Sequence, residues 1–200
     1  QNYKTAVKWY KLSAKQGNVF AQYNLGNRYR RGEGVPQDYK TAVKWYRLAA
    51  EQGDADAQFN LGLMYANGYG VPLDNKTAVK WYTLAAEQGY APAQFNLGNA
   101  YANGRGVPQD DKTAVKWYTL AAEQGYADAQ YNLGLMYGYG EGVTLDFAYA
   151  YMWWDIAASS GKHKKASKNR EIAAKKMSPS QIKKAQGLVR DCIRKKYKGC

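Results

Sequence analysis

The sequence predicts an all-α fold: an α/α superhelical solenoid of 36-residue helix-pair repeats that ends in a C-terminal helical cap. Tryptophan recurs with this period at Trp9, Trp45, Trp81, Trp117 and Trp153. The heptapeptide KTAVKWY stands unchanged in four successive copies of the period. Alternation of polar and apolar residues never persists and β-branched residues are sparse, so no strand is predicted. A fixed period of this length is typical of arrays in which neighbouring repeats stack on one another.

The first helix of a repeat is illustrated by residues 55–67, within the unit that spans residues 54–89. Ala57, Leu61 and Tyr65 recur at every fourth position there and mark one buried stripe of a helix. Since one amphipathic helix pair cannot cover its own apolar stripe, the pattern indicates that copies must adjoin.

Glycine and proline mark where these helices touch, end and begin. Gly62 has no side chain and therefore permits a close neighbour. Gly68 can adopt the left-handed conformation that ends a helix, and Pro72 cannot continue one. Pro92 falls in the first turn of the next repeat's first helix, where its missing N–H costs nothing.

The second helix of the same unit is predicted to begin at the capping residue Asp74, and every other complete unit has aspartate at this position. Apolar and small residues form a wide face that we expect to be buried. They are Ala78, Trp81, Tyr82, Ala85 and Ala86. Lys76 and Lys80 lie on the opposite, solvated face, and Gly89 ends the helix.

The pattern A-x-x-x-L-G-x-x-Y-x-x-G-x-G-V-P-x-D, followed by A-V-x-W-Y-x-x-A-A-x-x-G, resembles the Sel1-like repeat family. This family is related to tetratricopeptide repeats and has a slightly longer unit. The resemblance covers residues 1–161 as a leading half repeat and four complete repeats. It implies an α/α solenoid that binds other proteins, often in the bacterial envelope.

The last repeat departs from the others and predicts a second domain, a basic capping extension over residues 162–200. Residues 148–154 read AYAYMWW where KTAVKWY is expected, so two surface lysines are replaced by Ala148 and Met152. A face that is polar in the earlier repeats is apolar here. We therefore expect the extension to cover it, since terminal repeats need a cap with a polar outer face.

Two helices are predicted in the extension. The first is expected over residues 164–176. The second opens at Ser178, which begins a capping box with proline at the first helical position. Its apolar stripe is narrow and its lysines face outward. The stripe consists of Ile182, Ala185, Val189 and Ile193.

The charge of +13 is concentrated in the extension. Residues 1–160 have a net charge of +1 and residues 161–200 a net charge of +12. One hypothesis is that the lysine-rich extension binds an anionic polymer, lipid or nucleic acid electrostatically. The alternative, which we favour, is a solvated cap face. Nucleic-acid reading by the nearly neutral repeats is not expected.

Cys192 and Cys200 are the two cysteines of the chain, and their proximity in sequence permits one disulfide. We favour a disulfide over two unpaired thiols. Together with the family resemblance, it predicts a periplasmic or secreted bacterial protein. One histidine and two cysteines leave almost no ligands for a metal, so no metal site and no cofactor are predicted.

No catalytic residue is assigned, and we predict that the chain is not an enzyme. The spacing S-x-x-K occurs twice, as Ser159 with Lys162 and Ser180 with Lys183, but without the S-D-N and K-T-G motifs of β-lactamases. The resemblance extends to cysteine-rich Helicobacter relatives described as β-lactam binders or hydrolases. This alternative is remote, because those relatives have a disulfide in each repeat. His163 lies among lysines with no neighbouring carboxylate and is predicted to be solvated.

A partner protein or peptide is expected to bind where the first helices line the concave side of the solenoid. Aromatic residues flanked by amides and arginines suit such a partner. The candidate partner-binding residues are Tyr23, Asn27, Arg30, Arg31, Phe59, Leu63, Asn67, Phe95, Asn99, Asn103, Tyr131, Leu135 and Tyr139. The alternative for each aromatic residue is that it packs between adjacent repeats.

One asparagine is identical in every repeat, which favours a structural role such as holding the backbone between repeats by hydrogen bonds. The four copies are Asn24, Asn60, Asn96 and Asn132.

The N-terminal edge is predicted to be exposed. The helix over residues 2–16 is the second of a pair whose first member lies outside the chain, so Trp9 loses part of its cover. We expect the native protein to begin earlier and this edge to contact another chain. No stretch approaches the ~18 consecutive apolar residues of a membrane span, so none is predicted.

Overall fold

The computed structural model describes residues 2–159, 161 and 163–200, and over these residues it contains eleven α-helices and no strand. The helices are α1 (Tyr3–Lys15), α2 (Val19–Arg31), α3 (Tyr39–Glu51), α4 (Ala55–Asn67), α5 (Asn75–Glu87), α6 (Ala91–Asn103), α7 (Asp111–Ala122), α8 (Ala127–Tyr139), α9 (Phe147–Ser159), α10 (Lys164–Lys175) and α11 (Pro179–Arg194). The predicted helix over residues 55–67 is confirmed as α4.

The chain divides into two compact units. Unit 1 consists of Gln1–Ala93 with Arg105–Val107, and unit 2 consists of Gln94–Gly104 with Pro108–Cys200. The predicted boundary between the repeats and a C-terminal extension, at residues 161 and 162, stays a prediction.

In unit 1 each helix packs against its neighbours in the chain, as stacked helix pairs do. Ala42, Tyr46, Ala57 and Leu61 are fully buried where α3 and α4 meet. The alanines allow the backbones to come close, and the larger side chains fill the remaining space.

The close approach predicted at glycine is confirmed. A Cβ on Gly62 would lie 2.6 Å from the ring of Tyr82, and a Cβ on Gly26 would lie 2.7 Å from the ring of Tyr46. The tyrosines of α3, α5 and α7 thus pack against the glycine of the preceding helix, and the third such contact is that of Tyr118 with Gly98. Since the ring occupies the place of a Cβ, these positions admit only glycine without a shift of the ring.

The predicted caps are also confirmed. Oδ1 of Asp74 accepts the backbone N–H of Thr77 at 3.0 Å, and Oδ1 of Asp146 accepts that of Tyr149 at 3.1 Å. At the other end, Gly68 adopts the left-handed conformation with φ of 69° and caps α4. These contacts satisfy backbone groups that a helix end otherwise leaves without partners.

The face predicted to be buried on α5 needs one correction. Ala78, Tyr82, Ala85 and Ala86 are buried, but Trp81 is only partly buried. Trp81 packs at the margin of the cluster formed by α3 and α4 and stays partly accessible. Val79 is buried instead.

In unit 2, α9 packs against α8, α10 and α11. Ala148 and Met152 are buried, as predicted from the loss of the two lysines. The predicted helices of the extension are confirmed as α10 and α11, and the capping box of Ser178 and Gln181 is present. The extension therefore covers the apolar face of the last repeat helix.

The stripe predicted on α11 is correct except at its end. Ala185 and Val189 are buried and Ile182 is partly buried, but Ile193 is 48% exposed and Cys192 is buried in its place. With 3.6 residues per turn, either residue 192 or residue 193 can continue the stripe. The buried position is taken by Cys192, which is paired with Cys200 at a Cα–Cα distance of 5.3 Å.

Trp9 is 68% exposed, as predicted for the N-terminal edge. The equivalent Trp45 is partly buried and packs against the cluster of Val7, Ala14 and other residues of the preceding helix pair. The contact with another chain stays a prediction. Among the described residues, no helix combines the length and apolar character needed to cross a membrane.

Candidate functional site

The thirteen candidate partner-binding residues lie on α2, α4, α6 and α8, and they differ in how far neighbouring helices cover them. The partly buried members are Tyr23, Asn27, Arg30, Phe59, Leu63, Phe95, Asn99, Tyr131 and Leu135. The exposed members are Arg31, Asn67, Asn103 and Tyr139, and Tyr139 is 69% exposed.

Three of the four aromatic candidates pack on tyrosine of the following helix. The ring centroids of Tyr23 and Tyr46 lie 6.1 Å apart, and the corresponding distance is 5.9 Å from Phe59 to Tyr82 and 6.1 Å from Phe95 to Tyr118. Each of these three rings therefore packs in part between repeats, as the alternative interpretation expects. Their use in binding a partner stays a prediction.

Tyr131, the fourth aromatic candidate, packs on His163 instead, and this contact corrects the prediction for His163. The two rings stack with centroids 3.9 Å apart. Nε2 of His163 lies 3.7 Å from Oδ1 of Asp128, and its side chain is largely buried. The prediction of a solvated histidine without a carboxylate is wrong, because the chain after α9 folds back and brings His163 onto α8.

A hollow with a volume of about 330 Å³ lies among α6, α7 and α8 within unit 2, and we call it the α6–α8 hollow. It brings together three predicted residues with others that the sequence did not single out. Its lining consists of Asn99, Ala102, Asn103, Gln109, Asp111, Tyr118, Asn132, Leu135, Met136 and Glu141. Amides, two carboxylates and a phenol surround a small apolar floor.

A hydrogen-bonded group organises the hollow around Asn99. Oδ1 of Asn99 accepts the Tyr118 hydroxyl at 2.7 Å and Nδ2 of Asn132 at 3.1 Å. Asn103 donates to the carbonyl oxygen of Asn99 at 2.8 Å. These bonds hold the three amides in fixed orientations, so the hollow is preformed.

The ionisation of Tyr118 reflects its surroundings. Burial, with smaller contributions from the carboxylates of Asp111 and Glu141, raises the pKa of Tyr118 to about 12, although a hydrogen bond with the Asn132 side chain acts in the opposite direction. The phenol therefore stays neutral and remains a hydrogen-bond donor. Oδ1 of Asp111 also accepts Nε2 of Gln109 at 3.3 Å.

The asparagine common to all repeats does not bond to the backbone of another repeat where its contacts are described. Asn24 and Asn60 donate to the carbonyl oxygens of Phe20 and Asp56, four residues earlier in their own helices. Asn132 instead bonds to a side chain, that of Asn99. The expected bond between repeats is thus found at Asn132, where it joins two side chains.

The sequence reasoning missed Asp111, Glu141 and Tyr118 as parts of one site. Asp111 is the first residue of α7, and Glu141 lies in the loop after α8, thirty positions later. Their positions within the repeat could have indicated them. Asp111 stands where the second repeat has Asn75, and Glu141 stands where it has Tyr69, so both replace uncharged residues.

Of the two S-x-x-K spacings, that of Ser180 and Lys183 lies wholly within the described residues. Oγ of Ser180 lies 3.0 Å from Oγ of Ser178 at the start of α11, and Lys183 is exposed. Lys162, the lysine of the other S-x-x-K spacing, lies outside the described residues. Within the described part of the chain, no three His, Cys, Asp or Glu side chains are grouped so that they could hold a metal ion.

The sequence profile of the Sel1 repeat matches residues 1–18, 19–54, 55–90, 91–126 and 127–162. Two solved structures share much of the sequence as well as the fold. A protective antigen of uropathogenic Escherichia coli, c5321, is 40% identical with a TM-score of 0.86, over 96% of this chain and 42% of that one. A Sel1 repeat protein from Oxalobacter formigenes is 38% identical with a TM-score of 0.76, over 80% of this chain and 64% of that one.

The cysteine-rich protein B of Helicobacter pylori is similar in fold alone, at 22% identity and a TM-score of 0.52 over 66% of this chain and 93% of that one. Among curated proteins, none matches the chain. The chain spans less than half of the Escherichia coli antigen's length. The predicted all-α solenoid of helix-pair repeats is confirmed by these comparisons.

Proposed function

We propose that this chain, which belongs to the Sel1 repeat family, is a non-catalytic adaptor that binds a protein or peptide on its first helices. Sel1 repeat solenoids are generally scaffolds for protein–protein interaction. The proposed binding surface consists of the exposed parts of the candidate residues on α2, α4, α6 and α8.

The α6–α8 hollow is the observation that carries this proposal. It is a preformed recess whose amides, carboxylates and phenol can exchange hydrogen bonds with a peptide. Three candidate residues, Asn99, Asn103 and Leu135, line it. A recess with a few oriented polar groups and an apolar floor is the usual form of a recognition site.

A binding role fits the chemistry of the described residues better than catalysis. Ser180 belongs to a helix cap, where its hydroxyl faces Ser178, and Lys183 points to solvent. A nucleophile needs a base within hydrogen-bond reach, and this pair does not provide one. The remote alternative of β-lactam binding or hydrolysis is therefore not part of the proposal.

The proposed location is the periplasm or the exterior of a bacterial cell. Cys192 and Cys200 lie at disulfide distance, and such pairs persist in oxidising compartments. Two of the similar structures come from Escherichia coli and Helicobacter pylori.

Anion binding by the extension is a second candidate function. Lys183, Arg190 and Arg194 are exposed on one side of α11. Binding that depends on these cations weakens steeply as salt screens them, whereas binding in a polar recess persists. A salt series between 50 and 500 mM sodium chloride with heparin and with captured protein as ligands therefore separates the two functions.

The adaptor proposal is tested by affinity capture from bacterial envelope extract with matched variants. The stripe variant combines Arg31→Ala, Asn67→Ala, Asn103→Ala and Tyr139→Ala, which change exposed residues and leave the packed rings in place. The control combines Lys44→Ala, Lys80→Ala and Lys116→Ala on the second helices.

We expect the stripe variant to lose a partner that the control retains, with both variants as helical as the parent by circular dichroism. Equal capture by the parent and the stripe variant would show that the partner binds elsewhere.

A further inference from the structure

We propose that the α6–α8 hollow receives the guanidinium group of an arginine side chain from the partner. The inference rests on the proposed adaptor function and names the chemistry that the site recognises. It follows from the charge of the lining, from the shape of the hollow and from a counterpart within the same chain.

The lining has the polarity that a guanidinium group requires. The carboxylates of Asp111 and Glu141 supply negative charge, and the amides around Asn99 supply further oxygen acceptors. None of the residues that line the hollow is lysine or arginine. The hollow thus concentrates negative charge in a recess, where attraction to a cation is stronger than on an open surface.

The first complete repeat shows what fills the same position when arginine is present. Tyr46 and Asn27 stand 72 residues before Tyr118 and Asn99, and the Tyr46 hydroxyl donates to Oδ1 of Asn27 at 2.8 Å. This pair matches that of Tyr118 and Asn99, whose bond is 2.7 Å long. The same phenol–amide pair therefore recurs in both units.

In unit 1 an arginine side chain is hydrogen-bonded to the tyrosine hydroxyl of this pair. Nε of Arg30 donates to the Tyr46 hydroxyl oxygen at 3.1 Å. The residue in this position of α6 is Ala102, so α6 supplies no arginine to Tyr118, whose hydroxyl is hydrogen-bonded to the side chains of Asn99 and Asn132 instead. The chain itself shows that a guanidinium group fits beside this tyrosine, and that in unit 2 the space for it is open.

Two further sequence differences between the units make the site in unit 2 more open and more acidic. Asp111 replaces Tyr39, and Glu141 replaces Tyr69, where the two tyrosine rings stack in unit 1 with centroids 5.1 Å apart. The exchange removes two bulky rings and adds two negative charges. Loss of the internal arginine is thus accompanied by gain of the carboxylates that an external arginine needs.

Guanidinium fits this geometry better than ammonium. Its planar fork presents five N–H donors that can reach a carboxylate, an amide oxygen and a phenol at once. An ammonium group is a compact charge that holds its water more firmly. The hollow of about 330 Å³ also has room for the aliphatic stem, which would lie on Leu135 and Met136.

The test is titration of the chain with N-acetyl-arginine methylamide, followed by nuclear magnetic resonance of the side-chain amides of Asn99, Asn103, Asn132 and Gln109. The citrulline analogue, which has the same shape without the charge, and the lysine analogue are the comparison probes. We expect these amide signals to shift with arginine, to shift at roughly tenfold higher concentration with lysine, and to stay in place with citrulline.

Two variants localise the binding. Asp111→Asn with Glu141→Gln removes the charge at constant shape, and we expect at least about tenfold weaker binding of the arginine probe. Ala102→Arg supplies an internal guanidinium group in the manner of Arg30, and we expect it to exclude the probe. Glu51→Gln with Glu87→Gln is the charge-matched control, because both glutamates are exposed and neither lines the hollow.

Citrulline or lysine binding as tightly as arginine, or unchanged binding by the Asp111 and Glu141 variant, would overturn the inference. If the stripe variant loses its partner while the arginine probe shows no charge selectivity, the inference falls and the adaptor function stands. If the probe binds as expected while the stripe variant retains its partner, the adaptor proposal alone fails.

Discussion

Two kinds of second helix occur in this protein, and they differ in how many sides are covered. In α5 the lysines Lys76 and Lys80 remain exposed, and Trp81 is only partly buried. In α9 the equivalent tryptophan, Trp153, is 2% exposed, and methionine stands where the repeat has its second lysine. One helix is packed along one side, and the other is enclosed by α8, α10 and α11. The difference shows that an end of a repeat array is closed by changing the polar face of the last helix.

Restoring the lysine of the repeat to the enclosed helix is expected to have the largest effect. Met152→Lys places a charge at a site that is 1% exposed, and burial of an unpaired charge costs several kcal/mol. We expect a loss of more than about 3 kcal/mol in the free energy of unfolding by urea. The reverse change, Lys116→Met on the exposed face of α7, should alter stability by less than about 0.5 kcal/mol. Similar losses for both variants would show that the two faces do not differ.

Loss of the cystine is expected to have the next largest effect. Cys200→Ala opens the link to Cys192 and leaves the buried Cys192 side chain in place. We expect a loss of about 2–3 kcal/mol, since the link closes a short loop in the unfolded chain. The tail that it holds includes Gly199, whose N–H donates to Oε1 of Glu123 at 2.8 Å.

Hydrogen exchange measures this directly. The Gly199 amide should exchange faster in the Cys200 variant and in the parent after reduction, and a reductant should not change the variant further. Protection of this amide that survives reduction would contradict the role of the cystine.

Substitution of glycine by alanine is expected to change stability in opposite directions in the repeats and in the extension. In Gly98→Ala the new Cβ would lie 2.6 Å from the Tyr118 ring, and overpacking of this kind costs about 1–3 kcal/mol. In Gly187→Ala on α11 the nearest atom is 3.9 Å away, at the tip of Arg190. Alanine there should stabilise the helix by about 0.5–1 kcal/mol. Thermal unfolding checks both signs, and destabilisation by Gly187→Ala would reveal a contact on that face.

The smallest expected effect distinguishes by pH the aspartate that caps α5, Asp74, from the aspartate that caps α4, Asp54. Hydrogen bonds from the Thr77 side chain and backbone lower the pKa of Asp74, whereas burial raises the pKa of Asp54. The charged form of Asp74 thus stabilises the fold above its ordinary pKa of 3.8, and this is lost as the pH falls through the lowered value. Asp54 has the opposite sign, so its contribution is present at acid pH and is lost as the pH rises through the raised value.

The change from pH 7 to pH 3 in urea unfolding measures these contributions. Asp74→Asn should make the loss of stability at acid pH smaller than in the parent, and Asp54→Asn should make it larger. The same change in both variants would mean that the caps share one environment.

Much of the fold follows from local rules, as the bounds of α4 and the cap at Asp74 illustrate. Both depend on residues within one or two turns, and the exact period repeats the information in every unit. The site is less predictable. Asn99, Asn103 and Leu135 were identified from their register, but Asp111 and Glu141 join them only because α7 and the loop after α8 stack beside α6. His163 was misjudged for the same reason, since its carboxylate lies in an earlier helix.

The sequence by itself determined the period, the helix pairs, their caps, the glycines that admit close neighbours and the need for a cover over α9. Each of these depends on residues near one another in the chain and on apolar surface that has to be buried. Only the tertiary structure decided which polar groups face a common hollow, where His163 lies and which residue of α11 turns inward. Those outcomes depend on distances between residues far apart in the chain, and periodicity specifies the side of a helix but not the atoms opposite it.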